Sequence, residues 1–415
     1  MKQETAMRGT RVVVTGIGFR SPIGNTLKAL KESFLSGRSG VRMMPEWNAI
    51  DHLRAKVAGV CEGVDEKVIP RGYRRSMGRV SILAAIATME AIADSGLEES
   101  AIGSPMCGIS FGSTAGSSQA LESFMKDVIA NNSLRGIQSS IYLQFMSQTC
   151  AANLAMMFHV KGPVIASCTA CVAGSQGVGF GYDAIKAGRA VFMLSGGAEE
   201  MHFMDAGVFD LLHATSTNYN DRPDQTPRPF DVDRDGLVVG EGAACLVLEE
   251  YGHARSRGAH IYCEIIGFGT NCDGSHLTNP SAEGMAGAIR IALKDAGLSP
   301  EQIGHVNAHA TATEAGDIAE ATATHDVFGS SVPVSALKGY MGHTLGACGG
   351  IESIASILMM NEGFMAASKN LVTPDPKLPP LNHVMGSAQE KSFSICMNNN
   401  FAFGGINTSL IFRKI

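Results

Sequence analysis

Two cysteines three residues apart lie in VIASCTACVAGSQGVGFG (164–181), a stretch without a charged side chain. Cys168-x-x-Cys171 admits several chemistries. A structural zinc site takes about four ligands, usually as two paired clusters. The sequence holds no second Cys-x-x-Cys, and Cys150, Cys245 and Cys396 stand singly. A redox pair would open a helix in a small thioredoxin-like unit, and this chain is 415 residues long. The third chemistry is a single nucleophile beside an incidental thiol. GPVIASCTA (162–170) reads as a buried strand, and VAGSQGVGFGYDAIKAG (172–188) as a glycine-tolerant buried helix. Cys171 then stands at a helix N-terminus, where free amides and the positive dipole end favour a thiolate and can hold an oxyanion. Cys168 reads as a buried apolar thiol.

Two histidines follow apolar strands among small residues, His309 in VNAHATATEAGD and His343 in SALKGYMGHTLGACGG. A neutral imidazole can donate from Nε2 to a carbonyl gaining negative charge. Lys338 and Glu352 flank His343 in chain order and sit among small or apolar residues. In NNNFAFGGINTSL (398–410), Phe401 and Phe403 precede a Gly-Gly pair that permits tight or mobile backbone. Aromatic packing is the ordinary reading of that motif, and a gate over a pocket is the functional one.

The elements that must position these groups alternate between short apolar runs and helical patterns, which argues α/β. RVVVTGIG (11–18) reads as a strand ending in a glycine turn, and CGISFGS (107–113), VFMLSGGAE (191–199) and AACLVLEE (243–250) as further strands. Residues 79–95 carry apolar side chains at Ile82, Ala85, Ile86, Met89 and Ala93, the spacing of an amphipathic helix. The second half restarts this pattern. IYCEIIGFGTN (261–271) echoes RVVVTGIGFRS, and GMAGAIRIALKDAGLSP (284–300) parallels the helix at 79–97. A duplicated α/β unit accounts for the echo, with halves at 1–255 and 256–415. The proline-rich VTPDPKLPPLNH (372–383) reads as a surface connection.

Composition sets the bounds. With 45% hydrophobic and 17% charged residues the chain can bury a large core. A net charge of −6 gives no reason to expect nucleic-acid binding. Residues 136–182 carry one formal charge, Lys161, yet Gln144, Gln148, Asn153 and Gln176 interrupt any run of about 20 apolar residues that a membrane span needs. That segment reads as buried between layers or subunits. MKQETAMRGTRVVVTG lacks a signal-peptide h-region. Ten cysteines without a secretory signal fit a reducing compartment, so the cytoplasm is expected.

Together these motifs resemble the β-ketoacyl-acyl-carrier-protein synthases of the thiolase superfamily, especially the elongating type with a Cys-His-His triad. The resemblance runs from VVVTGIG to NTSLIF. It is most specific in CTAC with GSQ, PRPFDVDRDGLVVGEGAACLVLEE (227–250), NAHATAT and GHTLGACGGIES. It implies a thiolase-like fold of five layers, α-β-α-β-α. It makes Cys171 the acyl-accepting nucleophile, and His309 and His343 the binders of the malonyl thioester oxygen. Lys338 and Glu352 would support the histidines. The amides of Cys171 and Phe403 would form the oxyanion hole, with Phe403 as gate. Thr311 and Thr313 would contact pantetheine, and Ala115, Phe209 and Phe401 would line the acyl pocket. No metal or other cofactor is implied.

The implied reaction is decarboxylative condensation of an acyl thioester with malonyl-acyl carrier protein in fatty-acid elongation, with a specialised polyketide or aryl-polyene pathway as the alternative. The carrier is acidic, and Arg71, Arg74, Arg75 and Arg79 in RGYRRSMGR offer a basic docking patch. Ala402 replaces the usual glycine between the phenylalanines, and His213 stands where a basic carrier contact is usual. A degradative thiolase would carry a second cysteine in the C-terminal glycine loop, and NNNFAFGGIN has none. A non-catalytic chain-length-factor subunit would lack the nucleophile. A homodimer is expected, with a heterodimer containing a chain-length-factor homologue as the alternative and the uncharged stretch 141–160 as candidate interface.

Overall fold

A computed structural model describes residues 9–415. The first eight residues of MKQETAMRGTRVVVTG lie outside the described residues. The eleven strands of the main sheet fall into two runs along the chain. The first holds β1 (Val12–Arg20), β2 (Cys107–Gly112), β3 (Val164–Ile165), β4 (Phe192–Glu199) and β5 (Gly242–Glu250). The second holds β6 (Cys263–Cys272), β7 (His305–Ala308), β8 (Pro333–Ala336), β9 (Asn382–His383), β10 (Ile395–Ala402) and β11 (Ile406–Arg413).

In space the first run is ordered β1-β5-β4-β2-β3 and the second β6-β11-β10-β7-β8, with β9 added at the outer edge. Strand directions match place by place. The first two pairings of each run are antiparallel and the next two parallel. The runs join where Val12–Val14 of β1 pair antiparallel with β6. The internal echo in the sequence is thus a repeated topology.

Five helices do most of the covering: α1 (Arg79–Ser95), α2 (Ala173–Lys186), α3 (Ala282–Ala296), α4 (Glu314–Phe328) and α5 (Cys348–Glu362). α2 and α5 pack on each other and touch strands of both runs, so they form a middle layer. α1 covers the outer face of the first run, and α3 with α4 that of the second. This is the α-β-α-β-α arrangement expected. α2 and α5 are buried on nearly every side, as expected of helices packed between the two runs of the sheet with almost no solvent side to present.

The repeated Gly-x-Gly has a different cause from the turn first read into it. β1 continues through Gly16 and Gly18 to Arg20, buried throughout. A Cβ at either glycine would run into the backbone carbonyl of Ala91 or Ala87 on α1. On β6, Gly267 and Gly269 meet the carbonyls of Ala292 and Ala288 on α3 in the same way. Glycine on the strand and alanine on the helix let each outer helix lie directly on its sheet. A second correction concerns residues 162–170. Only Val164 and Ile165 are strand there, at the exposed edge of the sheet, and no buried strand forms.

Candidate active site

Cys171 lies in the single 3-10 turn Ala170–Val172 that leads into α2. Ala170 has φ of 50°, a left-handed conformation uncommon for a residue with a Cβ. Such strain is held only where surroundings dictate it. Here α2 and α5 start against each other: a Cβ on Gly174 would meet the Gly346 carbonyl, and one on Gly349 would meet the backbone of Ser175. The Cys348 thiol donates to the Cys171 carbonyl at 3.2 Å. These contacts set the nucleophile turn beside the loop that carries His343.

His309 follows β7 directly. Both oxygens of Glu320, on α4, accept from backbone amides there, His309 N at 2.7 Å and Ala310 N at 2.5 Å. Asp317 likewise accepts from Ala312 N at 3.0 Å. These bonds hold Ala310 and Ala312 at positive φ, 21° and 66°. His343 is fixed by its backbone, donating to Val238 O at 2.7 Å and accepting from Gly240 N at 2.8 Å. The rings of His309 and His343 meet edge to face, centroids 5.0 Å apart. One donor atom from each of Cys171, His309 and His343 lies within 4.8 Å of the other two.

Behind His309 stands a buried ion pair, Lys338 Nζ to Glu352 Oε1 at 2.6 Å. The same ammonium lies 3.2 Å from His309 Nδ1. An ammonium only donates, so Nδ1 accepts and the ring hydrogen sits on Nε2. Burial works against the charge on Lys338, but Glu352 outweighs it and keeps the ammonium protonated. Burial first, then the Lys338 charge, holds both imidazoles well below their usual range. They are neutral donors at physiological pH. His343 has no hydrogen-bond partner at either ring nitrogen, an unusual state for a buried polar group.

Three neutral soft donors this close could suggest a metal. The arrangement argues against one: a cation at His309 would need a lone pair on Nε2, which carries hydrogen, and would face the Lys338 ammonium. The zinc-clip and redox readings fail on geometry as well. Cys168 is exposed and donates to Ser147 O at 3.1 Å, whereas Cys171 is buried. Cys168 is therefore not the buried thiol expected. The resting thiolate also needs correcting. Burial pushes the Cys171 thiol up to about 12, although Lys338 and the amides of Cys171 and Phe403 pull it down. Burial thus opposes the thiolate that the helix end favours.

A cavity of about 440 Å³ opens onto this group. Cys171, His309 and His343 line its depth, and Phe209, Phe401, Phe403, Thr311 and Thr313 are on its walls. The Phe403 ring meets that of Phe209 at a tilt, centroids 5.6 Å apart. The Thr311 and Thr313 hydroxyls lie 3.0 Å apart, and Thr313 also caps α4. His213 lines the mouth. Ala115, in the loop after β2, is exposed and is not among the residues that line this cavity. The basic patch is smaller than the sequence suggested. Arg79 is spent on buried Glu241, at 2.6 and 2.7 Å, and Arg74 pairs with Glu66 at 2.8 Å. Arg71 and Arg75 remain exposed.

Sequence reading overlooked Glu320, Cys348 and Asn400. The signal for Asn400 was present: three consecutive asparagines inside a strand flanked by apolar residues must find buried partners.

Known proteins resemble this chain over almost its whole length. The β-ketoacyl synthase N-terminal domain model matches residues 9–254 and the C-terminal domain model residues 262–372. The 3-oxoacyl-[acyl-carrier-protein] synthase 2 of Vibrio cholerae is 36% identical over 99% of this chain and 100% of that protein. The crystal structure of a β-ketoacyl synthase from Burkholderia phymatum superposes with a TM-score of 0.95 at 45% identity, covering 98% of this chain and 100% of that one. The ishigamide ketosynthase/chain length factor does so at 0.91 and 31%, covering 98% and 99%. A buried cysteine facing two neutral imidazoles at the foot of a cavity is thus found on a chain that belongs to the β-ketoacyl synthase family.

Proposed function

We propose that this chain condenses an acyl thioester with a malonyl thioester on acyl carrier protein, with loss of carbon dioxide, as in fatty-acid elongation. The reading is carried by His343, whose two ring nitrogens are unpartnered in the cavity that holds Cys171 and His309. A substrate oxygen is what such a donor lacks.

The steps balance as follows. Cys171 sulfur attacks the acyl carbonyl, the carbon–sulfur bond to the carrier breaks, and the thiol proton leaves with the carrier sulfur. The amides of Cys171 and Phe403 hold the transient oxyanion. Malonyl-carrier then enters with its thioester oxygen against Nε2 of His309 and of His343. Its carbon–carboxylate bond breaks, carbon dioxide departs, and the electron pair is delocalised onto that oxygen. Two neutral donors stabilise this enolate without first surrendering a proton. The enolate carbon attacks acyl-Cys171 and the carbon–sulfur bond breaks. The released thiolate takes a proton from water, leaving 3-oxoacyl-carrier.

In this reading Lys338 and Glu352 orient His309, Phe403 gates the cavity, and Thr311 and Thr313 contact the pantetheine arm. Phe209 and Phe401 bound the acyl chain. Arg71 and Arg75 are the residues free to meet an acidic carrier. The chain divides at 255/256 and acts in the cytoplasm as a homodimer. No helix among the described residues is long and apolar enough to cross a membrane. A second reading, a specialised ketosynthase paired with a chain-length-factor homologue, is favoured by the likeness to the ishigamide pair.

Intact mass spectrometry with a panel of acyl-carrier thioesters tests the proposal. An adduct is expected on Cys171 that malonyl-carrier then consumes. Cys171→Gln should lose acylation and keep malonyl decarboxylation. Loss of both reactions in a folded variant would sink the assignment of the histidines.

A further inference from the structure

Asn400 stands on β10 immediately before Phe401, fully buried, and none of the steps above uses it. A ladder of amides orients its side chain. Asn307 Nδ2 donates to Asn398 Oδ1 at 2.7 Å, and Asn398 Nδ2 donates to Asn400 Oδ1 at 3.1 Å. With its oxygen committed, Asn400 presents Nδ2 to the site. That nitrogen donates to Glu352 Oε2 at 2.7 Å and lies 3.4 Å from His309 Nδ1. Cys348 Sγ, at 3.6 Å, shares its second hydrogen. The other oxygen of Glu352 holds Lys338, which faces the same imidazole nitrogen. One carboxylate therefore aims two donors at one ring atom.

We infer that Asn400 is a positioning residue for decarboxylation. Together with Lys338 it keeps Nδ1 of His309 an acceptor, so that the ring hydrogen stays on Nε2 where the enolate oxygen forms. The inference rests on the role given above to His309. Lysine supplies charge on a flexible stem, whereas the carboxamide supplies a fixed direction and occupies the second oxygen of Glu352. An acceptor at position 400 would reverse the effect. It would draw the hydrogen to Nδ1 and strip the donor from Nε2. Acylation of Cys171 uses neither nitrogen of His309, so the two half-reactions should separate.

Asn400→Asp is the informative variant, because an aspartic acid donates when protonated and only accepts when ionised. Malonyl decarboxylation by Asn400→Asp is expected to fall about 10- to 100-fold. The deficit should deepen as pH rises through the titration of the new carboxyl, while single-turnover acylation of Cys171 stays near native. Asn398→Ala frees the carboxamide to flip and keeps position 400 uncharged, which covers the case in which the acid is not tolerated. It should slow decarboxylation more than acylation. Equal losses in both half-reactions, or a decarboxylation profile parallel to native at every pH, would overturn the inference. A His309→Gln control that still decarboxylates normally would remove the reading of the site itself, and this inference with it.

Discussion

At the scale of the residue, the question is how two buried imidazoles stay neutral donors. Burial is the larger cause, and the Lys338 charge adds to it. Each has the same sign: each disfavours the imidazolium, so neither ring should titrate between pH 6 and 8, and decarboxylation should show no acidic limb there. Replacing Lys338 by methionine removes a positive charge 3.2 Å from His309 and leaves Glu352 uncompensated. Both changes raise the affinity of His309 for a proton. We expect Lys338→Met to slow decarboxylation about 10- to 100-fold and to develop an acidic limb. A flat profile with native rates would show that burial alone suffices. Cys171, His309 and His343 were legible because each follows an apolar run amid small residues. The protonation state of Cys171 was not, because the sequence shows the helix end but not the depth of burial. Asn400 went unread since an amide in a strand carries no chemistry until its partners are known.

At the scale of the element, helix-to-strand contact was half legible. Both Gly-x-Gly motifs stood out, yet sequence alone could not tell a turn from a close approach, because both need the missing side chain. Space decides it. Gly18→Ala and Gly269→Ala each put a methyl into a helix carbonyl, and each should destabilise by about 1–3 kcal/mol by overpacking. Gly207, inside the helix Phe203–Leu211, has open space where a Cβ would go. Gly207→Ala should instead stabilise by about 0.5–1 kcal/mol through lower backbone entropy in the unfolded chain. Urea midpoints compare the three directly. If Gly18→Ala matched Gly207→Ala, the helices would not be seated as closely as described. β3 is shorter than its sequence suggests: of the nine residues 162–170 that read as a buried strand only Val164 and Ile165 pair, and the chain then runs to the turn that carries Cys171.

For the whole molecule, the two edges of the sheet differ. At one end β9 presents an exposed Asn382, while its half-buried His383 packs against Phe230. At the other, β3 presents Val164, 49% exposed, beside a surface that also displays Tyr142, Leu143 and Met156. An open edge with apolar neighbours invites pairing with another chain, and the stretch 141–160 forms part of that surface. A second copy meeting this edge would extend the sheet across the interface and cover the apolar side chains. Because Ile165 is only six residues before Cys171 in the chain, the same contact would brace the nucleophile turn. Val164→Asp places an unpaired charge where water would be excluded, at a cost of several kcal/mol. Sedimentation should then turn a dimer into a monomer, with acylation of Cys171 slowed and malonyl decarboxylation affected less. A native protein that sediments as a fully active monomer would end this argument. A Val164→Asp dimer with unchanged kinetics would place the interface elsewhere.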